Sequence, residues 1–303
     1  MIQVVVIDPL VFAELDQYWK LFAQQFGASR GRLICEFPKG WKKLVFEDFQ
    51  TTYRGQVAFE ELRKVLGEKS FVRRKGSTAA GETWLERAFD EHSKDPFSLI
   101  VVSSKAAEST GLDLPLCRSE DVADFEVPVS QSVRRSLPDL FTPAAKLLRY
   151  SRRVRFVDPY FSPHQEQWRA SVKCLLELCA SDDVVKTFIE FHTMVDQRDA
   201  EPFEEWRKSC ELLCSSIPSG LKLKVVRWDV GTETQEKLHD RYILTELGGL
   251  KYGWGLGAEA HWKGTSQTTM NRLEYTHCVQ LFGEFDEDAV RYRFVDNVTI
   301  KAQ

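Results

Sequence analysis

The chain has 303 residues, 43% of them hydrophobic and 12% aromatic, which is enough apolar material for one large or two medium-sized domains. The formal net charge of −4 excludes a general basic field, so nucleic-acid binding would depend on a local patch. No apolar run is long enough to span a bilayer, and the chain begins without the features of a signal peptide. The seven cysteines are scattered and form no C-x-x-C pair. We therefore expect a cytoplasmic protein with reduced cysteines and no metal site.

The N-terminal half alternates predicted strands and helices. In chain order, the predicted strands are 4–8, 32–37 and 98–103, and the predicted helices are 11–27, 57–66 and 81–93. This order predicts an α/β layer domain over residues 1–144. Residues 105–145 carry four prolines and mixed charges, which are typical of a linker between two halves.

Asp8 follows the first predicted strand, in the position that metal-binding carboxylates occupy in PIN-type nucleases. Such sites need three or four converging carboxylates, and the segment SLIVVSSK at 98–105 offers none. A helix cap or a structural hydrogen bond is therefore the favoured role for Asp8.

The C-terminal half has a second alternating pattern. Its predicted strands are 152–161, 184–192, 221–230 and 274–285, and its predicted helices run from Ser162 to Cys179, over 200–215 and over 286–296. Strands separated by helices of this length predict an α/β fold over residues 145–303, with a mixed or mostly parallel sheet covered by helices on both faces.

A short stretch at 237–256, KLHDRYILTELGGLKYGWGL, carries the strongest chemical signal. His239 and Arg241 lie two residues apart at the start of a predicted strand, so they share one face, and Asp240 lies on the other. We expect a tight turn at 248–249. An arginine can fork onto the oxygens of a phosphate, and a histidine can attack phosphorus or transfer a proton.

The spacing can be extended to H-x-R-x4-E, with Glu246 as the acid and Gly253 after six intervening residues. This pattern resembles the phospholipase D superfamily signature, H-x-K-x4-D-x6-G-S-x-N. The chain has Trp254 and Leu256 where the family has serine and asparagine. The H-D-R and G-x-G-L form is similar to a divergent branch. That branch includes the C-terminal domain of certain membrane-remodelling proteins with an MIT domain, and versions occur in bacterial conflict systems.

The resemblance implies a phospholipase D-like lobe over 145–303 with a phosphate-facing cleft, and it implies roles for particular residues. His239 would be the nucleophile that forms a phosphohistidine, Arg241 would hold the phosphoryl oxygens, and Glu246 would orient or pair with one of these two residues. No cofactor is implied. The chemistry needs a second histidine as general acid. His192, at the end of a predicted strand, is the leading internal candidate, followed by His164 and His277; the alternative is a homodimer with two copies of His239.

Several further residues are candidates for substrate binding. The segment Asp158-Pro159-Tyr160 is similar to an I-D-P-Y segment of the same branch, where Asp158 either orients His239 or starts a helix. Arg155 belongs to a basic cluster that either steers a polyanion or forms a solvated strand edge; its other members are Arg149, Arg152 and Arg153. Gly253 lines the expected cleft, and Trp254 either stacks on bases or forms a pocket wall, as do Tyr252 and Trp262.

Two functions remain open at the level of sequence. The first is a metal-independent phosphodiesterase, a nuclease that acts as a dimer in a bacterial defence or conflict system. The second is a catalytically degenerate module that binds the phosphate of nucleic acid, nucleotide or lipid headgroup while serving partner proteins in a larger complex. The N-terminal half is either a degenerate second lobe or an unrelated domain.

Overall fold

The computed structural model divides the chain into two compact units, Ile2–Pro128 and Val129–Gln303, the second of which includes Met1. It describes residues 1–52, 55–67, 71–75, 79–107, 116–181, 183–195, 201–229, 239–258 and 266–302. The boundary falls sixteen residues before the predicted one at 144/145, because the segment Ser130–Arg134 is a strand of the C-terminal sheet. Its sequence, SQSVR, is polar because it lies at the sheet edge, which explains why it resembles a linker.

The N-terminal unit contains a sheet of five parallel strands in the order β3-β2-β1-β4-β5. The strands are β1 (Gln3–Ile7), β2 (Arg32–Cys35), β3 (Phe71–Val72), β4 (Leu99–Val102) and β5 (Leu116–Arg118). The helices are α1 (Val11–Glu14), α2 (Trp19–Ala23), α3 (Trp41–Thr52), α4 (Gln56–Gly67), α5 (Trp84–Lys94) and α6 (Ser104–Ala107). The prediction of an α/β layer is confirmed for this unit.

Two helix predictions in this unit need correction. The single helix expected over 11–27 is interrupted, because Asp16 adopts a positive φ of 47°, and α1 and α2 lie on either side of it. Helix α3 was not predicted, although its Trp41, Val45 and Phe49 are completely buried at a spacing of four residues.

Asp8 is a buried structural residue. Its Oδ1 accepts a hydrogen bond from the backbone N–H of Leu10 at 3.1 Å, and its Oδ2 accepts one from the Ser103 hydroxyl at 2.6 Å. The structural interpretation of this carboxylate is thus confirmed. In the residues that the structure describes, no group of three or more histidine, cysteine, aspartate or glutamate side chains is placed to hold a metal ion.

The C-terminal unit contains a mixed sheet of eight strands in the order β13-β9-β8-β7-β10-β11-β12-β6. The strands are β6 (Ser130–Arg134), β7 (Arg153–Val157), β8 (Phe188–Val195), β9 (Lys222–Asp229), β10 (Arg241–Thr245), β11 (Gly248–Tyr252), β12 (Gln267–Arg272) and β13 (Arg293–Lys301). The helices are α7 (Ala145–Tyr150), α8 (Glu166–Cys179), α9 (Phe203–Glu211) and α10 (Tyr275–Glu284). Strands β7, β8 and β9 are parallel, and the remaining pairs are antiparallel. The prediction of a mixed sheet is confirmed, and the two units differ in strand order and direction.

Helices cover both faces of this mixed sheet, as predicted. On one face, Phe156 and Phe191 pack with each other and Phe191 packs against Trp168 of α8; we call this the α8 face. On the other, Val157, Tyr242 and Leu244 share a buried cluster with residues of α10, and we call this the α10 face. Alternation along each strand therefore decides which helix layer a side chain meets.

The last two elements of the chain are the reverse of those predicted. Residues 274–285 form helix α10 rather than a strand, because the buried residues Cys278, Leu281 and Phe282 recur at helical spacing and the Glu274 side chain caps the first turn. Residues 293–301, rather than forming the end of a helix, are strand β13, which pairs with β9. Helix α8 also begins later than expected, at Glu166 rather than Ser162.

Among the described residues, none of the helices has both the length and the apolar character that a bilayer crossing requires.

Candidate functional site

Arg241 is the first residue of β10 and lies on the α8 face. Its neighbour on the same face, Ile243, is paired with Phe156 across the β10–β7 ladder, whereas Tyr242 belongs to the cluster on the α10 face. The guanidinium carbon of Arg241 is 5.0 Å from the centre of the Tyr160 ring. Its Nε is buried and has no hydrogen-bond partner among the described residues. The guanidinium thus packs on a ring, and its charge also acts on the nearby carboxyl of Asp158.

Asp158 lies at the end of β7 and is completely buried. Its Oδ1 accepts a hydrogen bond from the backbone N–H of Tyr160 at 3.0 Å, and its Oδ2 accepts one from that of Leu256 at 2.7 Å. Burial raises the pKa of the Asp158 carboxyl, although these hydrogen bonds and the charge of Arg241 act in the opposite direction. Asp158 therefore joins the loop after β7 to the loop after β11. Each of its oxygens accepts a backbone N–H, so Asp158 builds these loops, and its orientation of His239 stays a prediction.

The glycines after β11 allow this close approach. A Cβ on Gly255 would lie 3.1 Å from Oδ2 of Asp158, and a Cβ on Gly257 would lie 3.1 Å from the Trp168 ring. The neighbouring Ala258 donates its backbone N–H to the Ser171 hydroxyl of α8 at 2.8 Å. The glycine spacing in this segment thus reflects backbone packing against a buried carboxylate and a buried ring.

His239 lies two residues before Arg241, outside β10, and is exposed. Asp240, between them, is directed to the α10 side, where its Oδ2 accepts hydrogen bonds from the Tyr242 hydroxyl and from Lys251, each at 2.7 Å. Asp240 and Arg241 thus lie on opposite sides, as expected, and the shared face of His239 and Arg241 stays a prediction because His239 lies before the strand. Residues 237 and 238 lie outside the described part of the chain.

Glu246 is at the other end of β10 from Arg241. It forms the two-residue turn with Leu247 between β10 and β11, so the turn precedes Gly248 instead of falling at 248–249. Its carboxylate accepts hydrogen bonds from the backbone N–H groups of Arg152 and, at 2.9 Å, of Arg153. The structure therefore does not bring Glu246 to His239 and Arg241. It gives Glu246 a different task, which is to hold the hairpin against the start of β7.

His192 is not available as a general acid beside His239. It lies within β8, three residues before its end, and is paired with Val157 on the α10 face, where only 1% of its surface is exposed. Its Nδ1 accepts a hydrogen bond from the Trp228 indole at 2.9 Å, and its Nε2 lies 3.3 Å from a Glu190 carboxylate oxygen. Burial lowers the pKa of His192, against the opposing effect of Glu190. The prediction of a strand-end ligand is corrected, because the strand continues and the ring faces the other layer.

Arg155 is also buried and ion-paired inside the protein. It alternates onto the α10 face of β7 and is 5% exposed. Its guanidinium pairs with Glu190 and with Asp286, each at 2.7 Å, and also donates to the carbonyl of Phe282. It is therefore a buried structural cation rather than part of a surface that could steer a substrate.

Trp254 lies at the same end of the sheet as Arg241, because Arg241 is paired with Tyr252 across the hairpin. Its backbone N–H donates to the Thr268 hydroxyl at 3.0 Å, and the preceding Gly253 donates to the carbonyl of Thr269 at 2.9 Å. The guanidinium carbon of Arg135 is 5.1 Å from the centre of the Trp254 ring. Sequence analysis missed Arg135 because its segment was interpreted as a linker. Trp262 lies outside the described residues.

The site thus brings together five of the predicted residues at one end of the mixed sheet and leaves three elsewhere. Those at this end are His239, Arg241, Asp158, Tyr160 and Trp254, with Gly253 shaping the backbone beside Trp254. Those elsewhere are Glu246, His192 and Arg155. An exposed imidazole near a partly buried guanidinium, whose Nε has no hydrogen-bond partner among the described residues, can bind an anion and can act as a nucleophile or proton carrier.

Comparison with known proteins gives limited similarity. No family model matches the chain, and no curated protein matches it. Among solved structures, Nuc from Salmonella typhimurium, a phospholipase D family member, has a TM-score of 0.34 at 10% identity, over 55% of this chain and 97% of that one. Polyphosphate kinase from Porphyromonas gingivalis has a TM-score of 0.33 at 10% identity, over 84% of this chain and 43% of that one. TrmBL2, an archaeal chromatin protein with a novel mode of DNA binding, has a TM-score of 0.27 at 10% identity, over 67% of this chain and 64% of that one. Similarity at this level establishes neither a family nor an activity.

Proposed function

We propose that the C-terminal unit binds the anionic phosphate of a phosphodiester at Arg241 and cleaves the ester by attack of His239 on phosphorus. The proposal rests on the hydrogen bonding of Arg241 and the exposure of His239. Arg241 has a buried Nε without a hydrogen-bond partner among the described residues, and His239 nearby is exposed. A buried N–H of a charged group gains free energy when it meets an anionic acceptor, and a phosphate oxygen provides one.

The proposed chemistry has two steps and uses no metal. In the first, a ring nitrogen of His239 forms a bond to phosphorus while the bond from phosphorus to the leaving oxygen breaks, and an acid protonates that oxygen. In the second, water attacks the phosphohistidine, the P–N bond breaks and the imidazole is regenerated. Arg241 stabilises the negative charge on the phosphoryl oxygens in both steps.

The acid of the first step cannot be His192, which is buried on the opposite face of the sheet. We therefore propose that it is the His239 of a second copy of the chain, with the two copies related by a two-fold axis. The resemblance to conflict-system proteins also suggests a defence role with partner proteins, and this stays a prediction.

A second candidate function is binding without cleavage. It is favoured by the burial of His192 and by Leu256, whose side chain is fully buried where the related signature has a polar asparagine. In this version the same site holds a phosphate for a larger assembly, and Arg241 is essential whereas His239 is not.

Cleavage of single- and double-stranded DNA and RNA in excess chelator separates the two functions. We expect cleavage by the wild-type chain, its loss in His239→Ala, and its retention in the control His277→Ala, which changes an exposed histidine on α10. Binding that depends on Arg241 without cleavage would establish the second function. If the wild-type chain neither binds nor cleaves any of these substrates, cleavage of nucleic acid is wrong.

A further inference from the structure

Two large aromatic side chains at this end of the sheet are more than half exposed. Tyr160 is 58% exposed and Trp254 is 62% exposed. A guanidinium packs on each ring. The guanidinium carbon of Arg241 lies 5.0 Å from the centre of the Tyr160 ring, and that of Arg135 lies 5.1 Å from the centre of the Trp254 ring. Rings of this kind usually gain free energy by burial, so two exposed rings in one site indicate a surface that a ligand covers.

The backbone beside each ring is held in place by buried groups. The N–H of Tyr160 donates to one oxygen of Asp158, and the N–H of Leu256, two residues after Trp254, donates to the other. The N–H of Trp254 itself donates to the Thr268 hydroxyl, whose residue is 2% exposed. One buried carboxylate therefore sets the position of both ring-bearing loops, and neither ring is exposed because its loop is loose.

The arrangement offers two kinds of contact in alternation. The guanidinium of Arg241 provides positive charge for phosphate, and the rings provide flat apolar surfaces backed by a cation. A single strand of nucleic acid presents the complementary alternation, because phosphates and unpaired bases follow one another along it. In a duplex the faces of the bases are covered by their neighbours, and a phospholipid headgroup carries phosphate but no planar base.

We propose that Tyr160 and Trp254 stack on two unpaired bases of a single-stranded nucleic acid whose intervening phosphate binds Arg241. This inference names the substrate class and rests on the proposed function, since it needs a phosphate at Arg241. Arg135 supports the Trp254 ring.

The test compares three labelled ligands by fluorescence anisotropy with the full chain: a short single-stranded DNA, the same strand with every base replaced by an abasic unit, and its duplex. We expect the single strand to bind most tightly. We expect Tyr160→Leu and Trp254→Leu each to weaken that binding about 5- to 150-fold. Trp254→Leu should leave the abasic strand unaffected, whereas Tyr160→Leu should weaken the abasic strand less than the normal strand, because the Tyr160 ring also packs on Arg241. Tyr160→Phe and Trp254→Phe keep a ring and should bind as the wild type does. Tyr18→Leu, which changes a 59% exposed tyrosine of the N-terminal unit, is the matched control.

The outcomes separate the two proposals. If the abasic strand binds as tightly as the normal strand, with Arg241→Ala weakening both, base stacking is wrong and the phosphate site stands. If Arg241→Ala weakens binding only to vesicles of phosphatidylserine and phosphatidylcholine, base stacking is wrong and the ligand is a lipid surface. If Arg241→Ala changes binding of none of these probes, the phosphate site itself is wrong. Circular dichroism of each leucine variant confirms that it is folded before its affinity is compared.

Discussion

The guanidinium of Arg241 lies 5.0 Å from the centre of the Tyr160 ring, with its Nε buried and without a hydrogen-bond partner among the described residues. This differs from Arg155 and Arg227, two buried arginines of the same sheet. Arg155 pairs with two carboxylates, and Arg227 pairs with Asp296. Among the described residues Arg241 packs on a ring and forms no ion pair within 4 Å, so its guanidinium can still meet an anionic ligand.

Asp158 should matter first for stability. Replacing it with alanine leaves the N–H groups of Tyr160 and Leu256 without their acceptor, and we expect the free energy of unfolding to fall by about 2–4 kcal/mol. Asp158→Asn keeps one acceptor oxygen and should lose less. Denaturant titrations of both variants measure the difference. Equal stability of Asp158→Ala and the wild type would show that the carboxylate does not join the two loops.

Glu246 should affect stability and leave affinity unchanged. Its carboxylate binds two backbone N–H groups at the start of β7, at the far end of β10 from Arg241. We expect Glu246→Ala to lower the free energy of unfolding by about 1–2 kcal/mol. The affinity for a single-stranded oligonucleotide, measured at a temperature where the variant is fully folded, should equal that of the wild type. A loss of affinity in the folded variant would instead support the role in the phosphate site that the sequence spacing suggests.

Gly257 should tolerate no side chain. A Cβ there would lie 3.1 Å from two atoms of the Trp168 ring, which is 4% exposed and cannot easily move. We expect Gly257→Ala to destabilise the protein by about 1–3 kcal/mol. Gly283→Ala is the matched control, because a Cβ at this position of helix α10 would meet no atom within 4 Å. There the same change should stabilise the chain by up to about 1 kcal/mol. A similar melting temperature for both variants would contradict the packing argument.

The buried pair Glu190 and His192 should make the protein sensitive to acid. Burial lowers the pKa of His192 below its usual 6.5, so the neutral imidazole contributes stability that is present above that pH and is lost as the pH falls through the folded pKa. Burial alone would raise the pKa of Glu190, but His192 and Arg155 outweigh it and bring the pKa to about 2. The contribution of Glu190 is therefore lost between its usual 4.5 and about 2.

The variant His192→Asn separates the histidine from the other titrating groups. Its side-chain oxygen can accept the Trp228 indole N–H in place of Nδ1, and it does not titrate. Between about pH 7 and pH 5, we expect the melting temperature of the wild type to fall more steeply than that of the variant. Parallel curves would show that the His192 imidazole does not contribute to the acid sensitivity.

Much of the fold could be predicted from hydrophobic patterns, and the errors have identifiable causes. Strands such as β1 and β4 are buried on both faces, so their continuous apolar runs are distinctive. The edge strand β6 has only one buried residue and was mistaken for a linker. Helix α10 is rich in residues that favour strands, and only the spacing of its buried side chains indicates a helix.

Only part of the site could be predicted, because some of its residues depend on contacts between elements and not on local sequence patterns. The pattern around Arg241 depends on residues close in sequence, and alternation on β10 is sufficient to place Arg241, whereas His239 lies before the strand. The assignments of His192 and Arg155 depend on which helix layer each strand face meets, which periodicity along one strand cannot specify. Glu246 matched by spacing, but a carboxylate five residues along a strand lies at its other end.

Binding of a labelled single-stranded oligonucleotide to Arg241→Ala and Arg152→Ala tests the central claim most directly. Both variants lose one positive charge from the same unit, but the exposed Arg152 lies near the Glu246 turn, at the other end of the sheet from Asp158. At one ionic strength, we predict that Arg241→Ala weakens binding at least about tenfold, whereas Arg152→Ala stays within about twofold of the wild type. Equal affinities for the two variants would contradict the account. They would show that oligonucleotide affinity depends on the overall charge of the unit and not on the guanidinium beside Tyr160.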